Sequence, residues 1–229
     1  FSSSILRRNN CKQRLMIDTT RISDPYIYIW DKELPKDTCE KIITKFEENI
    51  EGAHQGVIGD GTNLLVKDSK DINVSDTALW GNTWEEEDKL FKNTIAAAMQ
   101  DYYAHLNAVS NFRYFTTNEK FTYMTVSSEM FDTGYQIQKT EPGKGYVWHH
   151  DFIYSRDEQE PICRTHTFIL YLNDVEEGWT QFYNGDQISP KAGRVLIFPA
   201  TWTYVHQGYP PKQTKYLMTG WLHAKPIIK

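Results

Sequence analysis

His149 and Asp151 stand one residue apart in the run YVWHHDF, residues 146–152. An imidazole and a carboxylate are what a protein offers a divalent metal ion when the ligands are nitrogen and oxygen. On a strand, side chains two apart share a face, so His149 and Asp151 point together and His150 points away. Polar groups among Tyr146, Trp148 and Phe152 are costly to bury unless something pairs with them, and a metal ion would do so. The H-x-D spacing alone is weak, because a chain with seven histidines meets it often by chance. The rest of the site must come from elsewhere in the chain.

His166, His206 and His223 lie downstream. His206 ends the run WTYVH before the turn QGYPPKQ. With His149 and Asp151, one of these three would complete two histidines and one carboxylate, a set that leaves positions open for small molecules and is typical of non-haem Fe(II) oxygenases. Nine residues after His206, Lys215 opens KYLMTGWLH, in which Lys215, Leu217, Thr219 and Trp221 share a face. A lysine held inward there needs an anionic partner. In RTHTFILYLND, alternation separates Thr165, Thr167, Ile169 and Tyr171 from His166, Phe168, Leu170 and Leu172. No HExxH motif supports a zinc hydrolase.

The elements that must position these residues can be read from period and punctuation. YIYIW at 26–30 reads as a strand. After Pro35, apolar residues at Cys39, Ile42, Ile43, Phe46 and Ile50 follow a helical period. Residues 52–76, rich in Gly, Asp, Asn and Ser, read as a long loop, with 55–77 a candidate substrate cover. A second helix is predicted from a Thr83-x-x-Glu86 capping box, with Phe91, Ile95, Ala98, Met99, Tyr102 and Leu106 as its apolar face. Its acidic start, Glu85 to Asp88, suits the helix dipole. Beyond about residue 120 come short runs at 121–127, 134–140, 145–152, 165–172, 179–183, 194–198, 202–206 and 214–223, separated by turn residues. The expectation is a mainly β fold with a helical flank.

Composition sets outer bounds. The net charge of −5 argues against a nucleic-acid or membrane-surface binder, and no apolar run is long enough for a membrane span. Three widely spaced cysteines, with no CxxC, fit a reducing compartment, so the expected location is cytoplasmic. Residues 1–25 read as an N-terminal extension without a signal peptide. Residues 26–229 read as one domain, with helical support to about 120 and a β core over about 121–225.

From about 134 to 223 the chain resembles the prolyl 4-hydroxylase-like branch of the Fe(II)- and 2-oxoglutarate-dependent dioxygenases. The resemblance rests on EPGKGYVWHHD, RTHTFILYLND, EEGWTQFYNGD, AGRVLIFPA, YVHQGYPPKQTK and KYLMTGWLH, in that order. YIYIWDKELPKDTCEKIITKFEE is similar to that branch's lead-in, and 51–120 matches least. The resemblance implies a double-stranded β-helix (jelly roll) with N-terminal helices packed on one sheet. It implies Fe(II) on His149, Asp151 and His206. It also implies 2-oxoglutarate held by Lys215 and Tyr171, with help from Thr219 and with Tyr146 edging the pocket. The reaction it implies is hydroxylation of an unactivated C–H bond with O₂, coupled to conversion of 2-oxoglutarate to succinate and CO₂, and supported by ascorbate. No general acid or base beyond the metal centre is implied.

The chain departs from the branch at Thr140, where many members carry Tyr, and at Gly178-Trp179, where they carry Gly-Gly. The leading substrate is a peptidyl proline. The alternatives are a small molecule held by a charged clamp, for which Arg156 and Arg164 are candidates, or a non-catalytic jelly-roll binding module. A peptide enzyme should show an open groove lined by 55–77 and 152–162.

Overall fold

The computed structural model describes residues 18–31, 34–59, 61–109, 130–153 and 162–224. The predicted strand at 121–127, Arg156 and most of residues 1–25 lie outside them. The strands are β1 (Tyr28–Trp30), β2 (His54–Gln55), β3 (Lys70–Asn73), β4 (Met130–Thr140), β5 (Tyr146–His149) and β6 (Cys163–Tyr171). They continue with β7 (Thr180–Phe182), β8 (Gln187–Ile188), β9 (Val195–Pro199), β10 (His206–Gly208) and β11 (Lys215–Ala224). The α-helices are α1 (Lys36–Glu48), α2 (Thr77–Trp80) and α3 (Glu85–Val109). Among the described residues no helix is long and apolar enough to cross a membrane.

Two antiparallel sheets form a jelly-roll-like sandwich. The larger runs β1-β9-β6-β11-β4-β3-β2 and the smaller β5-β10-β7-β8. Period-2 patterning decides which side chains go where. On the outer face of the large sheet, Phe168, Leu170, Val195, Ile197 and Met218 share a core with Cys39, Ile42 and Phe46 of α1 and Phe91, Ile95 and Tyr102 of α3. On the inner face, Ile169, Tyr171, Leu196, Phe198 and Leu217 pack with Phe182 and Ile188 of the small sheet and with Ile27. β6 and β11 thus feed both layers with alternate residues.

The structure corrects three expectations. The long loop over 52–76 contains β2 and β3, which extend the large sheet through β3–β4 pairing from Lys70↔Lys139 to Asn73↔Gln136. Strands of two and four residues, flanked by Gly and Asp, are too short to show a period. The run at 202–206 is mostly turn, and its strand, β10, begins only at His206. The helix expected from Thr83 begins at Glu85, with Thr83 in the preceding turn.

The 61–69 segment clasps the small sheet. Val147 N donates to Val66 O at 2.9 Å and Asp68 N to Gly145 O at 3.0 Å. Gly56 lies so close to this segment that a Cβ there would stand 2.4 Å from Ser69 Oγ and 2.8 Å from Lys67 Cε. Any side chain there would have to push the Ser69 and Lys67 side chains aside.

Candidate metal centre

His149 and His206 are direct cross-strand partners in the β5–β10 pair. Backbone pairing therefore brings the two rings together, with centroids 4.3 Å apart. Asp151 follows β5 and is buried, with Oδ1 3.7 Å from His149 Nε2 and Oδ2 3.8 Å from His206 Nε2. The three ligand atoms lie within 4.8 Å of one another, the one such grouping among the described residues.

Hydrogen bonds behind the rings fix their chemistry. His149 Nδ1 lies 2.7 Å from Val147 O, and His206 Nδ1 lies 3.0 Å from Tyr204 O. A carbonyl can only accept, so each Nδ1 carries the proton and each Nε2 presents a lone pair to the centre. Thr167 Oγ1 donates to Asp151 Oδ2 at 2.7 Å. Burial, then the neighbouring His206, push His149 down to about 3, keeping the ring neutral. Burial works against the Asp151 carboxylate, yet the two imidazoles and the Thr167 hydroxyl together hold it below its ordinary value. Two imidazoles whose Nε2 atoms face one carboxylate fit a divalent iron, and the fit rests on geometry as well as residue type.

A cavity of about 580 Å³ opens on the triad. Its floor is the inner face of the large sheet: Gln136, Gln138 and Thr140 from β4, Lys215, Leu217, Thr219 and Trp221 from β11, and Thr167 and Ile169 from β6. Lys215 is buried, donates to Gly178 O at 2.8 Å, and has no carboxylate partner among the described residues. Burial pushes its ammonium down to about 8. With donors to spare, it is a seat for an anion.

The other sequence-nominated residues fall in three positions. Tyr146 lines the cavity, where its ring lies on His149. Thr219 lines it too, but its hydroxyl donates to Phe168 O at 2.9 Å, so its oxygen faces the cavity as an acceptor. Tyr171 lies deeper, fully buried, its hydroxyl 2.6 Å from Thr180 Oγ1. Thr180 is the residue of that pair that lines the cavity. A phenol is the stronger donor, so Tyr171 donating to Thr180 frees the threonine proton to point inward.

Sequence reading missed Thr180, Gln136, Gln138 and Lys67. Lys67 lines the cavity and is buried, with Nζ 2.7 Å from Asp71 Oδ2, while Ser69 Oγ donates to Asp71 Oδ1 at 2.8 Å. Period-2 counting from Thr140 would have found the two glutamines. Nothing local marks Lys67 or Thr180. His150, placed by alternation on the far face, sits after β5 ends and lines the cavity mouth. Trp179 stacks on Tyr209 with centroids 4.4 Å apart and is absent from the cavity lining.

Residues 135–223 match the family model described as the 2OG-Fe(II) oxygenase superfamily. They contain the three candidate ligands, Lys215 and Thr180. These residues form a 2OG-Fe(II) oxygenase domain. The chain is accordingly a 2-oxoglutarate-dependent dioxygenase, with Fe(II) and 2-oxoglutarate as its cofactors.

Its fold is similar to solved prolyl hydroxylases. A viral collagen prolyl hydroxylase from Paramecium Bursaria Chlorella virus-1, in its 2OG complex, aligns with TM-score 0.52 and 17% identity over 87% of this chain and 96% of that one. A Pseudomonas putida prolyl-4-hydroxylase aligns with TM-score 0.56 and 15% identity over 87% and 93%. A Trichoplax adhaerens prolyl hydroxylase, in complex with a hypoxia inducible factor oxygen degradation domain peptide fragment, aligns with TM-score 0.59 and 15% identity over 86% and 83%. No curated protein matches in sequence.

Proposed function

We propose that this dioxygenase hydroxylates a proline within a peptide, with His149, Asp151 and His206 holding Fe(II) and Lys215 and Thr180 receiving the far carboxylate of 2-oxoglutarate. Iron and 2-oxoglutarate, when bound, would supply the oxidation with O₂, one oxygen atom going to succinate as CO₂ leaves and the other to the substrate C–H bond. The chain's own residues bind, orient and exclude water. Lys215 neutralises the incoming anion. Tyr171 holds the Thr180 hydroxyl toward it, and Thr219 offers an acceptor at the cavity floor.

The observation that carries the peptide reading is the mouth. Val57 and Ile153 line the cavity yet stay 52% and 45% exposed, with Phe152 beside them. A closed pocket for a metabolite would bury such side chains, whereas an open apolar rim suits a chain laid across it. Similarity to prolyl hydroxylase folds supports the same choice. A second reading, the same chemistry on a free amino acid or metabolite, is favoured by Arg164, a cation in the cavity wall. A non-catalytic module would have no reason to keep all three ligands converged.

The test is succinate release from 2-oxoglutarate with Fe(II) in air, with and without proline peptides, and mass spectrometry for one added oxygen. Stimulation together with hydroxyproline supports the proposal. His149→Ala and Asp151→Ala should abolish both. Succinate release that no proline peptide stimulates overturns the peptide reading.

A further inference from the structure

Three cations line the cavity: Lys67, Lys215 and Arg164. Lys67 is neutralised by Asp71. Lys215 stands at the end nearest Gly178, Gly208 and Thr140, opposite which it pairs in the β4–β11 register. Arg164 stands elsewhere, on β6, with its guanidinium stacked 3.8 Å over the Trp221 ring. Among the described residues its guanidinium makes one hydrogen bond, a long one, Nη1 to the backbone O of Asp151 at 3.4 Å. No carboxylate pairs with it among the described residues, and its Nε is buried without a partner. Burial lowers its affinity for its own proton, against the attraction of the nearby Asp151 carboxylate, which the metal would claim.

We infer that Arg164 is the anchor for a carboxylate on the substrate, so that the molecule oxidised carries an acidic group close to the carbon that reacts. This deepens the proposed hydroxylase function and rests on it. With Fe(II) and Asp151 contributing one net positive charge, 2-oxoglutarate two negative and Lys215 one positive, the centre is neutral once loaded. The charge of Arg164 is then left over. A peptide carbonyl would satisfy its hydrogen bonds but not that charge, whereas a carboxylate does both with two parallel bonds to the guanidinium fork. The flat seat on Trp221 keeps the fork in one plane, which limits what is lost on pairing. Contact with the backbone of Asp151 places the fork next to the metal ligand, so the acid and the reacting carbon must be neighbours in the substrate.

The experiment uses the full chain with Fe(II) and 2-oxoglutarate and reads succinate release. It compares three matched pairs of probes: blocked proline peptides with Glu or Gln beside the proline, acetyl-Ala-Pro as free acid or amide, and L-proline or L-prolinamide. The acid should exceed its neutral partner by about 10- to 100-fold in kcat/KM in at least one pair. Arg164→Gln should bring that ratio near one, and Arg164→Lys should restore part of it. If the glutamine variant does not fold, the lysine variant together with equilibrium binding of the same probes to the Co(II)-loaded wild type under nitrogen gives the same ratio. Acid preference confined to the proline pair supports the anchor while overturning the peptide reading. Equal response to acid and neutral partners, response to none of the probes, or a preference that survives Arg164→Gln overturns the inference.

Discussion

Tyr146 lies flat against His149, with ring centroids 3.5 Å apart and planes 13° from parallel. Strict strand alternation would put residues three apart on opposite faces. A register shift between His206 and Gly208 inserts an extra residue in β5 and turns Tyr146 to the cavity side, leaving Val147 and Trp148 outward. Bulges beside active sites commonly re-aim a side chain in this way. Here the tyrosine becomes a backstop for the metal ligand. Tyr146→Ala should weaken Co(II) binding about 10-fold, and Tyr146→Phe should not, as read by titration of the cobalt absorption band.

Lys215 carries a pH prediction. Its ammonium, lowered to about 8 by burial, is charged below that pH and neutral above it. An anion that depends on it should bind well below pH 8 and progressively less well above, so the KM for 2-oxoglutarate should rise on the alkaline side. Lys215→Met should raise that KM about 100-fold or more, because the co-substrate carboxylate is then buried unpaired. A flat alkaline profile would contradict the assignment.

The Lys67–Asp71 pair ties the clasp to β3 with both side chains nearly free of solvent. Lys67→Met leaves Asp71 buried and unpaired, which should cost about 3–5 kcal/mol in denaturant unfolding. Lys67→Met with Asp71→Leu should recover most of that loss. If the single and double variants are equally unstable, the ion pair is not what the clasp depends on.

His166 sits between Tyr102 and Tyr103 of α3, and burial pushes its ring down to about 4. The unfolded chain takes up this proton near pH 6.5, while the folded ring refuses it until about 4. Stability from this group is therefore present above pH 6.5 and lost as pH falls toward 4, by up to about 3 kcal/mol. His166→Phe should flatten that part of the Tm-against-pH curve, as measured by calorimetry without metal.

Much of the site was legible because it lies on long strands. β6 and β11, at nine and ten residues, repeat their alternation often enough to group Thr167 with Ile169 and Leu217 with Thr219 and Trp221, and pairing of the two strands puts both groups on the one sheet face that floors the cavity. The H-x-D spacing nominated His149 and Asp151, but β5 ends at His149, so the turn of the chain after the strand, not alternation, brings Asp151 to the centre. His206 came from its place in the motif order.

What tertiary structure decided is of a different kind. Tyr146 faces the metal centre only because of a pairing irregularity between two strands distant in sequence. Thr180 reaches the cavity while Tyr171, its hydrogen-bond partner from the other sheet, lies behind it, and depth is absent from a period-2 pattern. Lys67 meets Asp71 because β3, too short to leave a sequence period, joins the large sheet through β4. The sequence by itself determined which faces the long strands present and which residue types could hold iron. Only the packing of one sheet on the other decided which polar groups meet across the cavity, and which cation, Arg164, has no carboxylate paired with it among the described residues.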